Sequence, residues 1–334
     1  MGPRRALFTS PYTPPEWVAA FGWQPCRVAP SIEGQLSPVG IPAGVCPFAQ
    51  AWLARLEKEP TEDIAIFVTV CDQMRRAAEV AEEANRPVFL MHVPATWQTA
   101  SAQRFYREEL ERLGRFLTRH GGHPPTREAL IETLEEYDTA RATLRGLGGI
   151  LPARQFSEKI AVFQERGRPE IESHPNHSPV GRSKSPGPRI GLVGVPLMPE
   201  DRVLFGLFEQ AGGEIVFDGT ESGEAGLPAP FNRRRLREDP LGELVEAYFG
   251  RIPDVARRPN SEFYVWLRER IEAYGLRGLV VLRRSWCDLW HAEVARIRDW
   301  APVPVFDLDL GSGLTVGAEG RLTTRIEAFV GTLS

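Results

Sequence analysis

Cys46, Cys71 and Cys287 each stand directly before a segment that reads as the start of a helix. Cys46 precedes Pro47, a residue favoured at the first helical position, while Cys71 and Cys287 are followed by Asp72 and Asp288, acids that suit the positive end of a helix dipole. Cys71 also closes the apolar run IAIFVTV and Cys287 follows GLVVLRRSW, so both fall at strand ends. A thiol in such a place meets unpaired N–H groups that stabilise a thiolate or a bound anion. Three of them suit an iron-sulfur cubane with one iron left open, or a zinc site completed by a histidine or water. Spacing does not choose between the two, because the chain has no CxxC pair. The fourth cysteine, Cys26 in WQPCRVAP, has no helix start after it and reads as core filler.

The other candidates each carry a bland reading beside a chemical one. His92 ends a strand and either faces a cleft or is merely satisfied there. His291, four residues after Cys287, is a zinc ligand, a proton donor or a solvated helix residue. His174 and His177 in HPNH have metal-like spacing within a linker-like stretch, and His120 and His123 in HGGH mark a helix stop and a turn. The run NRRRLR at 232–237 suits phosphate groups or a solvated loop. Trp286 and Trp290 flank Cys287 and either keep water from a cluster or pack in the core.

Positioning these residues requires regular elements, and the sequence supplies them in alternation. Strand-like runs at 64–70 and 87–93 are interleaved with helical patterns at 47–58, 72–85, 101–120 and 126–145. After residue 189, RIGLVGV, GEIVFDG, GLVVL and PVFDLDL are short apolar strands separated by helical segments near 199–212, 240–250, 261–275 and 289–300. That alternation predicts an α/β fold of two Rossmann-like domains with parallel sheets facing one another. A boundary falls where Gly, Pro, Ser and charge replace apolar periodicity, giving an N-terminal domain at 1–166, a linker or mobile loop at 167–188 and a C-terminal domain at 189–334. In open α/β sheets ligands gather outside the carboxyl ends of strands, where Cys71 and Cys287 lie.

At 334 residues the chain is long enough for two such domains. Its net charge of -4 gives no basic field for nucleic acid, and its apolar runs are strand-sized, too short to span a membrane. Four scattered cysteines do not make a disulfide framework, and without a signal-peptide pattern the expected compartment is the cytoplasm.

The segments FTSPYTPPEWVAAFGWQPCRVAP, CPFAQAWL, VTVCDQMRRAAE, MHVPATW, RSWCDLW, PVFDLDLG and TRIEAFV, in that order through nearly the whole chain, resemble the 2-hydroxyacyl-CoA dehydratase and benzoyl-CoA reductase family. The resemblance implies a [4Fe-4S] cluster in a cleft between the two domains, held by Cys46, Cys71 and Cys287. It also implies radical dehydration or reduction of an acyl-CoA thioester, which would give the arginines at 232–237 the phosphates of coenzyme A to bind. Glu16, in PPEWVAAFG, matches the family's Pro-x-Glu-Leu stretch near the active site. Beside an anionic cluster such a carboxyl gains a raised pKa suited to proton transfer; otherwise it is a helix N-terminal acid balancing its dipole. Only three cysteines match, so a single cubane is implied. The glycine stretch GLVGVP at 191–196 is no phosphate-binding loop, so the resemblance implies a separate ATP-hydrolysing iron-sulfur activator. A related second subunit or a homodimer is implied as well. An electron-transfer subunit, a small-molecule reductase of the same family, and a zinc-binding or structural relative stay open. Leu289 and Trp290 depart from the family's pattern after Cys287.

Overall fold

The computed structural model describes residues 4–32, 44–84, 86–148, 150–171, 187–311 and 318–333. The paired histidines His174 and His177, and linker residues 172–186, lie outside the described residues. The first half runs β1 (Arg5–Phe8), α1 (Pro15–Ala20), β2 (Gln24–Arg27), α2 (Pro47–Glu57), β3 (Ile64–Val68), α3 (Asp72–Glu83), β4 (Val88–Met91), α4 (Ala100–Arg119), α5 (Arg127–Leu147) and α6 (Ala153–Arg166). The second runs β5 (Arg189–Gly194), α7 (Val203–Gln210), β6 (Glu214–Asp218), α8 (Arg233–Glu238), α9 (Pro240–Leu244), α10 (Ser261–Tyr274), β7 (Gly278–Arg283), α11 (Asp288–Trp300), β8 (Val305–Asp309) and α12 (Ala318–Gly331).

Each half builds one four-stranded, all-parallel sheet, in the orders β2-β1-β3-β4 and β6-β5-β7-β8. β3, IAIFV, is buried along its whole length, as expected for a parallel strand covered on both faces. Its alternate residues enter different cores: Ile64 and Ile66 pack with Phe8 and Met91, whereas Ala65 and Phe67 pack with α2 and α3 through Trp52 and Ala78. In α4, Thr99 caps the N-terminus by accepting from the Ala102 N–H at 3.1 Å. Tyr106, Leu110, Leu113 and Leu117 then recur on its buried face at helical spacing.

The segments are not divided between the sheets as the chain order suggests. Phe231 to Ile252, which include α8, α9 and a π-helical turn at Val245–Gly250, follow β6 in sequence but pack into the core of the first sheet beside α4. The expected helix at 240–250 is thus two pieces of different pitch. Arg27 at the end of β2 ties the halves together: its guanidinium donates to the carbonyls of Thr9 at 2.9 Å, Gly226 at 3.1 Å and Glu221 at 2.8 Å. At the carboxyl end of β5, Gly194 has φ 136°, and a Cβ there would sit 2.0 Å from the Leu282 carbonyl oxygen. Only glycine lets β5 and β7 run this close where their loops diverge.

Candidate functional site

In both sheets the strand order reverses between the first and third strand in sequence, β1 beside β3 and β5 beside β7. Crevices outside the carboxyl ends of strands at such reversals are where open α/β sheets take ligands. The loops from all four strands meet around one cavity of about 110 Å³. Thr9, Ser10 and Tyr12 come from the end of β1, Val70 and Cys71 from β3, Val195 and Pro196 from β5, and Arg284 and Cys287 from β7. Cys46, before α2, completes the set, so the three thiols singled out from the sequence line one space.

All three are N-cap residues, of α2, α3 and α11. The Cys46 sulfur accepts from the Ala49 N–H at 3.4 Å, and the Cys46 N–H donates to Gln73 Oε1 at 2.7 Å, which fixes the cap. Between β7 and α11 the chain turns sharply: Trp286 has φ 66°, a left-handed conformation seldom taken by a bulky residue, and its side chain is 60 % exposed. Trp290 one turn later is buried against Phe263 and lines the cavity, so one flanking tryptophan shields the space and the other faces outward.

Burial pushes the thiols of Cys71 and Cys287 up to about 12, opposed by the N–H groups of Met74 and Trp290 and reinforced by neighbouring Cys46. Burial raises Cys46 too, against the N–H groups of Ala49 and Phe48 and the charge of Arg284. Cys26 lies apart in β2, packed in the core with burial raising it to about 11, as its core-filler reading expects.

Glu16 does not line this cavity. It is fully buried at the start of α1, where Arg141 of α5 pairs with it at 3.0 Å and the Tyr248 hydroxyl donates to it at 2.7 Å. His92 is exposed, with its backbone N–H donating to Glu109, and His291 is exposed with its ring beside Arg283. The arginines of α8 pair with acids: Arg233 and Arg237 with Glu135, Arg234 with Glu238 and Arg235 with Glu243.

Two acids not singled out from the sequence do face the cavity, Glu221 in the loop after β6 and Asp254 after the π-helical turn. Burial pushes the Glu221 carboxyl up to about 7, Asp254 adds to the rise and Arg27 opposes it. Burial raises Asp254 as well, against the Ala256 N–H and the Tyr12 hydroxyl. Glu221 follows the strand pattern GEIVFDG, so a search of every strand end would have found it. Asp254, in IPDVARRPN, has no such local signal.

The raised Glu221 has a consequence for stability. Its folded pKa of about 7 lies above the ordinary 4.5, so between those values the folded chain holds a proton that the unfolded chain releases. The stability it contributes is full below pH 4.5 and is lost as the pH rises through 7. Glu221→Gln is therefore expected to melt a few degrees higher than the parent at about pH 8 and close to it at about pH 5. Melting curves of the metal-free proteins check this, and an equal shift at both pH values would refute it.

Two all-parallel α/β units that bring thiols from three helix N-termini to one cavity at their strand-order reversals define an α/β protein of the doubly wound class with a cysteine-lined cavity. The chain belongs to the family described as 2-hydroxyglutaryl-CoA dehydratase, D-component, whose model matches residues 11–333. No curated protein matches it. Among the described residues no helix is long and apolar enough to cross a membrane.

The donor set fits the iron-sulfur group expected of the family in its chemistry, with three soft sulfur donors and, among the described residues, no histidine on the cavity wall. Among the described residues no three His, Cys, Asp or Glu side chains gather tightly enough to hold a metal ion as they stand. The thiols border a space and do not converge on a point, and His291, the histidine nearest in sequence to Cys287, is exposed beside Arg283 and is not among the described residues lining the cavity.

Proposed function

We propose that Cys46, Cys71 and Cys287 hold a [4Fe-4S] cluster and that the chain is the cluster-bearing subunit of an enzyme acting on an acyl-CoA thioester, by radical dehydration of a 2-hydroxyacyl-CoA or by reduction. One observation carries this reading: three helix N-termini, two from the first half of the chain and one from the second, each deliver a thiol to the same cavity. When bound, such a cluster supplies low-potential single electrons and one iron position free of a protein ligand.

The chain's own residues have separable tasks around it. The N–H ends of α2, α3 and α11 favour negative charge at the thiolates. Val70, Met74, Val195, Leu289 and Trp290 form an apolar wall that limits water. Glu221, whose pKa lies near neutrality, holds and passes a proton at its carboxyl oxygen, with Asp254 and the Tyr12 hydroxyl beside it. Glu16, with both oxygens engaged by Arg141 and Tyr248, anchors α1 in this reading, and the proton task proposed for it from the family resemblance falls to Glu221.

A D-component works with a partner subunit, which we take to be a related chain or a second copy. In this reading electrons come from a separate ATP-hydrolysing iron-sulfur activator; Gly191 and Gly194 lie in β5, where Gly194 closely approaches Leu282, and do not form a phosphate cradle.

Protein purified without oxygen is expected to be brown and to hold about four irons per chain. Adding acyl-CoA thioesters to the reduced protein is expected to change its EPR spectrum. Full iron content with an unchanged spectrum would assign the chain to electron transfer, and stoichiometric zinc without visible absorption would overturn the cluster itself.

A further inference from the structure

Arg284 follows β7 directly and is 2 % exposed, among the largest fully buried side chains of the protein. Among the described residues it is the one cation that lines the cysteine cavity. Its Nη2 pairs with Asp201, which sits in the 3₁₀ turn Pro199–Arg202 after β5 and is itself held by accepting from the Met198 N–H at 2.7 Å. The pair consumes only part of the guanidinium: Nε and Nη1 are buried and have no hydrogen-bond partner among the described residues.

Buried guanidinium N–H groups without acceptors are costly, about 1–3 kcal/mol or more for a charged group, so a native structure that keeps them calls for an acceptor. The wall offers two carboxylates, Glu221 and Asp254, and neither pairs with Arg284. The charge of Arg284 does reach Cys46, where it favours the thiolate. A group held by three thiolates is anionic and presents sulfur acceptors, and in a poorly hydrated space a single positive charge acts on it strongly.

We infer that Arg284, oriented by Asp201, is a positioning residue that compensates the charge of the iron-sulfur group and sets its reduction potential by donating to it from Nε and Nη1. This rests on the cluster reading of Cys46, Cys71 and Cys287. It adds a residue of the second sheet that acts on the bound group without being a ligand. The potential of an iron-sulfur centre responds to net charge and to hydrogen bonds at its sulfurs. Removing both effects together makes the reduced, more negative state harder to reach.

The test uses the full chain, reconstituted anaerobically, and compares Arg284→Gln/Asp201→Asn, Arg284→Lys and the parent. The double variant removes the ion pair as a unit, so no lone buried charge is left to unfold the protein, and Asn keeps an acceptor for the Met198 N–H. Expected are a more negative midpoint in an EPR-monitored redox titration and loss of iron to a chelator about tenfold to a hundredfold faster. Arg284→Lys keeps the charge and should recover part of the shift in potential. An unchanged midpoint and chelation rate in the double variant overturns the inference while the parent's iron leaves the cluster reading intact. Weaker acyl-CoA binding at an unchanged midpoint also overturns it, since the free donors would then serve a substrate oxygen. A parent that takes up no iron overturns the cluster reading and this inference with it.

Discussion

Replacing Cys46, Cys71 or Cys287 by alanine is expected to reduce iron from about four per chain to a small fraction of that, in each case with loss of the visible absorption. In the proposed site each variant removes one of three protein anchors, and each of these cysteines is an N-cap whose helix has no second thiol among the cavity's lining residues. Cys26→Ala is the internal control. Its sulfur lies in β2 among core residues such as Leu7, Phe67 and Leu53, so the substitution is expected to cost about 1–2 kcal/mol of stability while iron content stays at the parent's level. Iron analysis of the four variants after anaerobic reconstitution decides the matter. Loss of iron in Cys26→Ala would mean a fourth protein ligand and a closed, electron-transfer cluster. Full iron in any of the other three would remove that cysteine from the ligand set.

The thiols are legible in the sequence because their signal is local. Cys71 and Cys287 follow apolar runs that read as strands, and Pro47, Asp72 and Asp288 mark the helices that follow the three cysteines. The parallel alternation is legible for the same reason, and both sheets follow it. What escapes is what depends on distant partners. β1 has only four residues, RALF, and the arginine at its start hides the pattern. α6 lies outside the helical patterns read from the sequence, although it packs between β2 and β6 and ends on Gly167 in a left-handed conformation. The attachment of α8, α9 and the π-helical turn to the first sheet is a tertiary choice made by Phe231, Leu236, Leu244 and Tyr248, whose spacing says only that they are buried. Nothing in RRSWC tells which arginine turns inward: Arg283 pairs with Asp307 and Asp309 of β8, and its neighbour Arg284 lines the cavity.

Glu16→Gln is expected to destabilise the protein by about 3–5 kcal/mol while leaving its iron content unchanged. Glu16 and Arg141 are 0 % and 1 % exposed, so each is charged where water cannot compensate it. Gln retains an acceptor for the Tyr248 hydroxyl, but the Arg141 guanidinium, stacked over the Phe231 ring at 4.9 Å, loses its nearest countercharge. Asp138 at 3.9 Å is too remote to replace it. Glu16→Gln/Arg141→Met removes both charges and fills the space with an apolar side chain, so most of the lost stability should return. Denaturant midpoints of the two variants measure this, and iron analysis runs beside them. The cluster of α1, α5 and the π-helical turn joins segments far apart in sequence, so its loss loosens the support under the first sheet without touching a thiol. A Glu16→Gln protein with the parent's stability and iron but without turnover would return that acid to catalysis, and the proton task would then have to reach the cavity from outside its lining.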